Sequence, residues 1–194
     1  MDVDELLRRY AAGERDFSGV DLSQVDLYKV NLSGVNLSWA NLANANLIRV
    51  NLTYANLSRA NLSQANLTAV NLIEANLTET NLTNANLIAA EMCRANLSES
   101  ILTAAKLWKA NLNGADLSRA QLPKADLGLA DMIGAMLIEA DLKEVDFTGA
   151  NLITADLNGA DLRGADLSGA NLWKANLNEV NLTGTIMADG TRHP

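Results

Sequence analysis

The chain has 194 residues, 48% of them hydrophobic and 4% aromatic, which is too apolar for a disordered tail. Its net charge of −8, with a pI near 4.6, argues against a general binder of nucleic acid or anionic membrane surfaces. One cysteine, Cys93, and one histidine, His193, exclude a disulfide framework and a Cys/His zinc site built within one chain, and no run approaches the roughly 18 apolar residues of a membrane span.

The first element is MDVDELLRRYAAGERDF. It has neither a basic leader nor an apolar core, so it reads as no secretory signal and places the protein in the cytoplasm. Asp2 with Glu5 predicts a helix N-cap, Val3, Leu6, Leu7 and Tyr10 share one helical face, and Gly13 suits the stop. Residues 1–15 are therefore expected to form a helical cap over the open edge of the next element.

From Asp16 onward the chain repeats one five-residue word. Stepping by five from Phe17 to Met187 gives 35 positions, and each is Leu, Phe or Met. No insertion breaks the frame over these 171 residues. Two residues before each centre stands Ala or Val, with Thr80, Ser100 and Thr185 as small polar exceptions and Arg15 ahead of the array proper; one residue before, mostly Asn or Asp. The two residues after the centre vary freely, as in Ser58-Arg59 or Trp108-Lys109. Positions of fixed type alternating with free ones describe an inside and an outside.

Neither regular element accommodates a period of five. On an α-helix five steps turn about 500°, so the leucines would spiral around the rod. On a flat strand an odd period would send successive leucines to opposite faces. The chain must bend once per word, which predicts stacked coils of short extended segments joined by tight turns around a leucine column. Asn and Asp suit the turns because their side chains bond to nearby backbone.

The A-[DN]-L-x-x words resemble the pentapeptide-repeat family, and the N-terminal segment resembles that of members common in photosynthetic bacteria. The resemblance implies an all-β solenoid, a right-handed quadrilateral β-helix with four words per coil. On that reading residues 16–187 form a single domain of about nine coils, residues 1–15 the helical cap, and residues 188–194 a second cap. Residues 20 apart become stacked neighbours.

The filled interior leaves no cleft for a small substrate, so an enzyme is not expected, nor a cofactor or a metal. Stacking defines two candidate surfaces. Ile133, Ile153 and Trp173 form an apolar strip on one side, with Ile48, Ile88 and Trp108 on the adjacent side, a face for a protein partner. Asp126, Asp146 and Asp166 form an acidic ladder, with Asp141 and Asp161 on the preceding side. Some family members imitate DNA in this way and bind DNA gyrase, which makes a gyrase-directed mimic the alternative to a protein-binding scaffold. Lys124, Lys143 and Arg163 among the acids, and no projecting loop, weigh against it. The expected molecule is a monomer or weak dimer with an unidentified protein partner and no direct contact with nucleic acid. Words between residues 80 and 106 depart most from the pattern, where a bulge or a softer segment is expected, with the Thr80 and Ser100 hydroxyls entering the core.

Overall fold

A regular word in the body of the rod satisfies all five of its backbone N–H groups, and the way it does so builds the coil. A computed structural model describes residues 1–194. In the word centred on Leu57, Asn56 N–H donates to Val35 O in the coil before, at 2.9 Å. Leu57 and Arg59 N–H donate to Asn76 O and Thr78 O in the coil after, at 2.7 and 2.9 Å. Ala60 N–H closes a turn onto Leu57 O at 3.0 Å. Ser58 N–H donates to Asn56 Oδ1 at 3.1 Å. The Asn before the centre is thus the acceptor for the one N–H that neither turn nor neighbouring coil reaches.

The turn needs a positive φ at its third residue, as type II turns do. Every second variable residue from Gly19 to Gly184 has it, including Trp39 (φ 63), Tyr54 (φ 59) and Thr154 (φ 55). Pro123, which has no N–H to cap, comes two residues after Gln121, one of the few residues before a centre that is neither Asn nor Asp. Loss of the donor and loss of the acceptor coincide.

Parallel bridges join each residue before a centre to the one 20 later, without a break from Asp16↔Asn36 to Asp166↔Ile186. This is the right-handed quadrilateral β-helix. We number its sides by the centres Phe17, Leu22, Leu27 and Leu32. Centres from Phe17 to Leu167 are buried, as are the Ala and Val residues before them from Val35 to Ala170. Between coils, side-chain amides continue the ladder: Asn56 Nδ2 donates to Asn36 Oδ1 at 3.2 Å and Asn61 Nδ2 to Asn41 Oδ1 at 3.1 Å.

The irregular words do not form the expected bulge. The ladder Asn81↔Ile101↔Gln121 keeps its 20-residue spacing. Thr80 Oγ1 donates to Leu57 O at 2.8 Å and Ser100 Oγ to Leu97 O at 2.6 Å, so both hydroxyls enter the core already satisfied. A hydroxyl that finds a carbonyl of its own wall has no need to distort the coil.

At the N-terminus, helix α1 (Val3–Ala11) begins at Asp2, whose side chain accepts Glu5 N–H at 2.7 Å. Its Leu6 is fully buried in the same core as the leucine columns, with Val3, Leu7 and Tyr10 packed around it. Gly13 (φ 96) turns the chain out of the helix into the first coil. No helix is long and apolar enough to cross a membrane.

Candidate binding surfaces

Only the residues beside each centre and at the four corners reach solvent, so any site must be assembled from them. Ile133, Ile153 and Trp173 stack on the fourth side, each two residues after one member of the bridge series Asp131↔Asn151↔Asn171. Trp173 is 60% exposed and Ile133 40%, while Ile153 is half-buried. Ile48, Ile88 and Trp108 lie on the third side, where Thr68 separates Ile48 from Ile88. Trp108 stacks directly above Ile88 and is itself exposed.

Two further exposed apolar residues complete this region, and column counting alone did not single them out. Leu129 occupies the corner between the third and fourth sides, and Met136 takes the place of the usual Asn or Asp on the first side, where the next coil begins. Both are breaks in the word, an apolar residue where a corner or an Asx cap is customary. That irregularity was the available signal.

Glycines shape the corner. A Cβ at Gly128 would lie 3.1 Å from Trp108 Cδ1, and one at Gly149 would lie 2.7 Å from Leu129 Cδ2. Trp108 and Leu129 therefore lean onto the next coil in space that only glycine leaves open. The Lys109 ammonium sits 4.1 Å from the centroid of the Trp108 ring, a cation–π contact that adds charge to the rim of this apolar corner.

The acidic residues divide into two groups. Asp126, Asp146 and Asp166 stack on the third side, bridged in series. Each places its Oδ1 on the N–H two residues on, at 3.0 Å for Gly128 and 2.8 Å for Thr148 and Ser168. On the second side Asp141 and Asp161 are neutralised. Lys143 Nζ lies 2.9 Å from Asp141 and 3.4 Å from Asp161, and Arg163 binds Asp161 at 2.7 Å. Hydrogen bonds from the Arg163 guanidinium, with its backbone N–H and the Arg163 and Lys143 charges, hold the Asp161 carboxyl down at about 2.

Corner charges also pair along the stack: Arg59 binds Glu79 through two bonds of 3.0 and 2.8 Å, Arg119 binds Glu139 at 2.9 Å, and Arg94 binds Glu74. A shallow groove of about 600 Å³ lies at the corner of the first and second sides, lined by Glu79, Glu99, Ile101, Arg119 and Gln121. It is open and polar, with no titratable pair set apart from solvent. Cys93 is half-buried on the fourth side, and no group of His, Cys, Asp and Glu is placed to hold a metal ion.

A model of the family described as pentapeptide repeats matches the chain in 8 copies, over overlapping stretches from residues 15–44 to residues 146–184. Among solved structures, HetL of the cyanobacterium Nostoc sp. strain PCC 7120, a pentapeptide repeat protein involved in heterocyst differentiation regulation, is 32% identical; all of both chains is covered (100% each), with a TM-score of 0.46. A second pentapeptide repeat protein from Nostoc PCC 7120 is 36% identical over 60% of this chain and 81% of its own, with a TM-score of 0.33. QnrB1, a plasmid-mediated fluoroquinolone resistance protein, is 17% identical over 85% of this chain and 89% of its own, with a TM-score of 0.43. Among curated proteins nothing matches.

Proposed function

Because the chain belongs to the pentapeptide-repeat family, we propose that it is a non-enzymatic scaffold of the cytoplasm, a rod that holds a protein partner against its side. Residues 16–187 are the rod, of about nine coils, with residues 1–15 and 188–194 closing or shaping its ends. The supporting observation is the apolar corner where Trp108 and Leu129 rest on Gly128 and Gly149, beside exposed Ile133 on the neighbouring side. An exposed tryptophan and leucine set into glycine clearings resemble the aromatic and aliphatic anchors of protein interfaces. The strip Ile133, Ile153 and Trp173 extends the same surface toward the C-terminus, and Ile88 and Ile48 extend the third side toward the N-terminus.

Affinity capture from a lysate of the native organism tests this. The rod retains one reproducible protein partner, and Trp108→Ser with Leu129→Ser releases it while the fold is unchanged by circular dichroism. Retention by the double variant overturns the corner as the anchor, and Ile153→Ser with Trp173→Ser then asks whether the strip serves instead.

A second reading, a DNA-imitating ligand of gyrase, draws on the Asp126, Asp146 and Asp166 ladder, whose carboxylates have no cation within salt-bridge reach. The ion-paired Asp141 and Asp161 leave it only three rungs of free negative charge. A supercoiling assay separates the readings: the mimic inhibits gyrase or protects it from a quinolone at micromolar rod, and the scaffold does neither.

A further inference from the structure

The second variable residue of each word stands at a corner of the rod, and the four corners divide the charges unequally. On three corners cations meet acids one coil away. Arg59 binds Glu79 and Arg119 binds Glu139 between the first and second sides. Lys124 lies 3.7 Å from Glu144 between the second and third, and Arg94 binds Glu74 between the fourth and first. The corner between the third and fourth sides differs. In chain order it carries Lys29, Arg49, Ala69, Ala89, Lys109 and Leu129, then two glycines, with no acid before Asp189 in the tail. Lys29, Arg49 and Lys109 are exposed and none is ion-paired, nor is Lys106 on the third side beside them. In a chain of net charge −8, this corner is a line of uncompensated cations.

The line is also notched. At its lower end the Lys29 ammonium is 4.8 Å from the centroid of the Tyr28 ring. Lys29, and after it Arg49, draw the Tyr28 phenol below its ordinary pKa, so both cations converge on that ring. Above Arg49 the corner drops for two coils to the methyl groups of Ala69 and Ala89, with Ile48 and Ile88 half-buried on the third side. Lys109 then closes the notch, over Trp108. The acids beside the line serve the wall itself. Asp26 accepts the Tyr28 N–H at 3.0 Å and the Asn46 amide at 2.8 Å. Glu91 accepts the Asn111 amide at 2.9 Å, and Asp126 the Gly128 N–H at 3.0 Å.

We propose that this corner binds an extended acidic segment of another protein, in which two carboxylates four residues apart reach Arg49 and Lys109. The inference rests on the Trp108 and Leu129 corner being a protein-binding site, and it names the chemistry of the partner. Coils rise about 4.8 Å, so Arg49 and Lys109, three coils apart, are separated by about 14 Å. An extended chain advances about 3.3 Å per residue and shows alternate residues on one face, so residues i and i+4 span about 13 Å. Residue i+2 falls over Ala69 and Ala89, a methyl floor that suits an apolar side chain. Residue i+6 lies about 20 Å along, level with Leu129, which is four coils, or about 19 Å, beyond Arg49. Counted from Arg49, the corner selects acid, apolar, acid and apolar at every second residue. The notch is a single column of residues, which admits an extended chain and not a helix about 10 Å across. A long polyanion suits it less, because the third side continues into Asp126, Asp146 and Asp166.

Fluorescence anisotropy on the full chain tests this with a labelled peptide that has Glu at its first and fifth positions, Leu at its third and seventh, and Ser between. The peptide binds the native chain, and binding weakens as salt rises. Arg49→Glu and Lys109→Glu each weaken it at least about tenfold. Lys174→Glu, which reverses an unpaired cation on another corner, leaves it unchanged. Glutamate already takes the same positive φ at Glu74 and Glu79, so these substitutions suit the turn, and circular dichroism verifies the fold. Moving the second Glu of the peptide to the fourth position turns it to the other face and weakens binding likewise. The absence of saturable binding at millimolar peptide overturns the proposal. So does an equal loss in all three variants, or indifference to where the second Glu stands. A single-stranded oligonucleotide that binds more tightly than the peptide, through Arg49 and Lys109, overturns it in favour of a nucleic-acid site. The underlying reading fails separately. A lysate partner released by Trp108→Ser with Leu129→Ser, but still held by Arg49→Glu and Lys109→Glu, keeps the protein anchor and overturns the acidic segment.

Discussion

Leu22, Leu27 and Leu32 in the first coil have 0% exposure, while Leu172, Leu177 and Leu182 in the last are only partly buried, although the word around them is of the same kind. The difference comes from what lies beyond each coil. Helix α1 sets Leu6 over the first coil, and Tyr10 donates its hydroxyl to Ser33 O at 2.8 Å while the N-terminal ammonium donates to Asp21 O at 3.2 Å. At the other end seven residues of tail pair with one side and leave three. A solenoid repeats its interior solution coil after coil, but each end must be solved by sequence outside the repeat. The two ends also differ in chemistry. The first coil caps its turns with Asp16, Asp21 and Asp26, which also accept the amides of Asn36, Asn41 and Asn46 at 2.9, 3.0 and 2.8 Å. The last coil places Asn176, Asn181 and Ile186 in those positions, and Asn171 on the remaining side.

The largest expected effect is at the covered end. Leu6→Ala removes a buried side chain where the wall cannot collapse inward, and should cost about 2–5 kcal/mol in denaturant unfolding. Leu177→Ala should cost less, about 1–2 kcal/mol, since that side chain is already partly open to water. Equal losses at the two positions would break the comparison. Tyr10→Phe keeps the packing of α1 and deletes its bond to Ser33 O, for a loss of about 0.5–1.5 kcal/mol, with hydrogen exchange accelerated in the first coil and unchanged in the last.

Acid should sharpen the same contrast. Bonds from the Ser18 and Ser23 N–H groups hold the Asp16 and Asp21 carboxyls below the usual range, and the Arg9 guanidinium does the same for Glu14. A carboxyl lowered on folding stabilises the fold above its unfolded pKa, near 4, and that contribution is lost as pH falls through the folded value, where the native state must take up the proton. Amide hydrogen exchange at pH 3 should therefore show the first coil loosened relative to neutral pH, with the Asn-capped last coil changing least. Asp161, at about 2, loses its contribution between pH about 4 and 2. Asp161→Asn should flatten that limb of the stability profile.

Much of the rod was legible without coordinates. An unbroken period of five forces one bend per word, and the Asn or Asp before each centre, as in Asn56 with Ser58, has the short acceptor a tight turn requires. The cap at Asp2 and the face of Leu6 and Tyr10 could be read in the same way, because capping and helical periodicity are local. The candidate surfaces were legible only as columns. Ile133, Ile153 and Trp173 could be aligned by counting 20, yet Leu129 was passed over because a leucine at a corner has no meaning until its lean over Gly149 is known. The bulge expected near Thr80 and Ser100 did not form because both hydroxyls find carbonyls, Ser100 that of Leu97 in its own turn and Thr80 that of Leu57 in the coil before, a match set by how one coil overlies another.

The sequence alone therefore determined the repeat, its inward leucines and the chemistry of its turns, since each comes from sterics and hydrogen bonding within a few residues. Only the tertiary structure decided which side the tail covers, which leucines of the last coil stay partly open to water, and that Trp108 and Leu129 lean into the clearings at Gly128 and Gly149. Those features depend on the stacking of residues 20 apart and on where that stacking stops, which no five-residue word can encode.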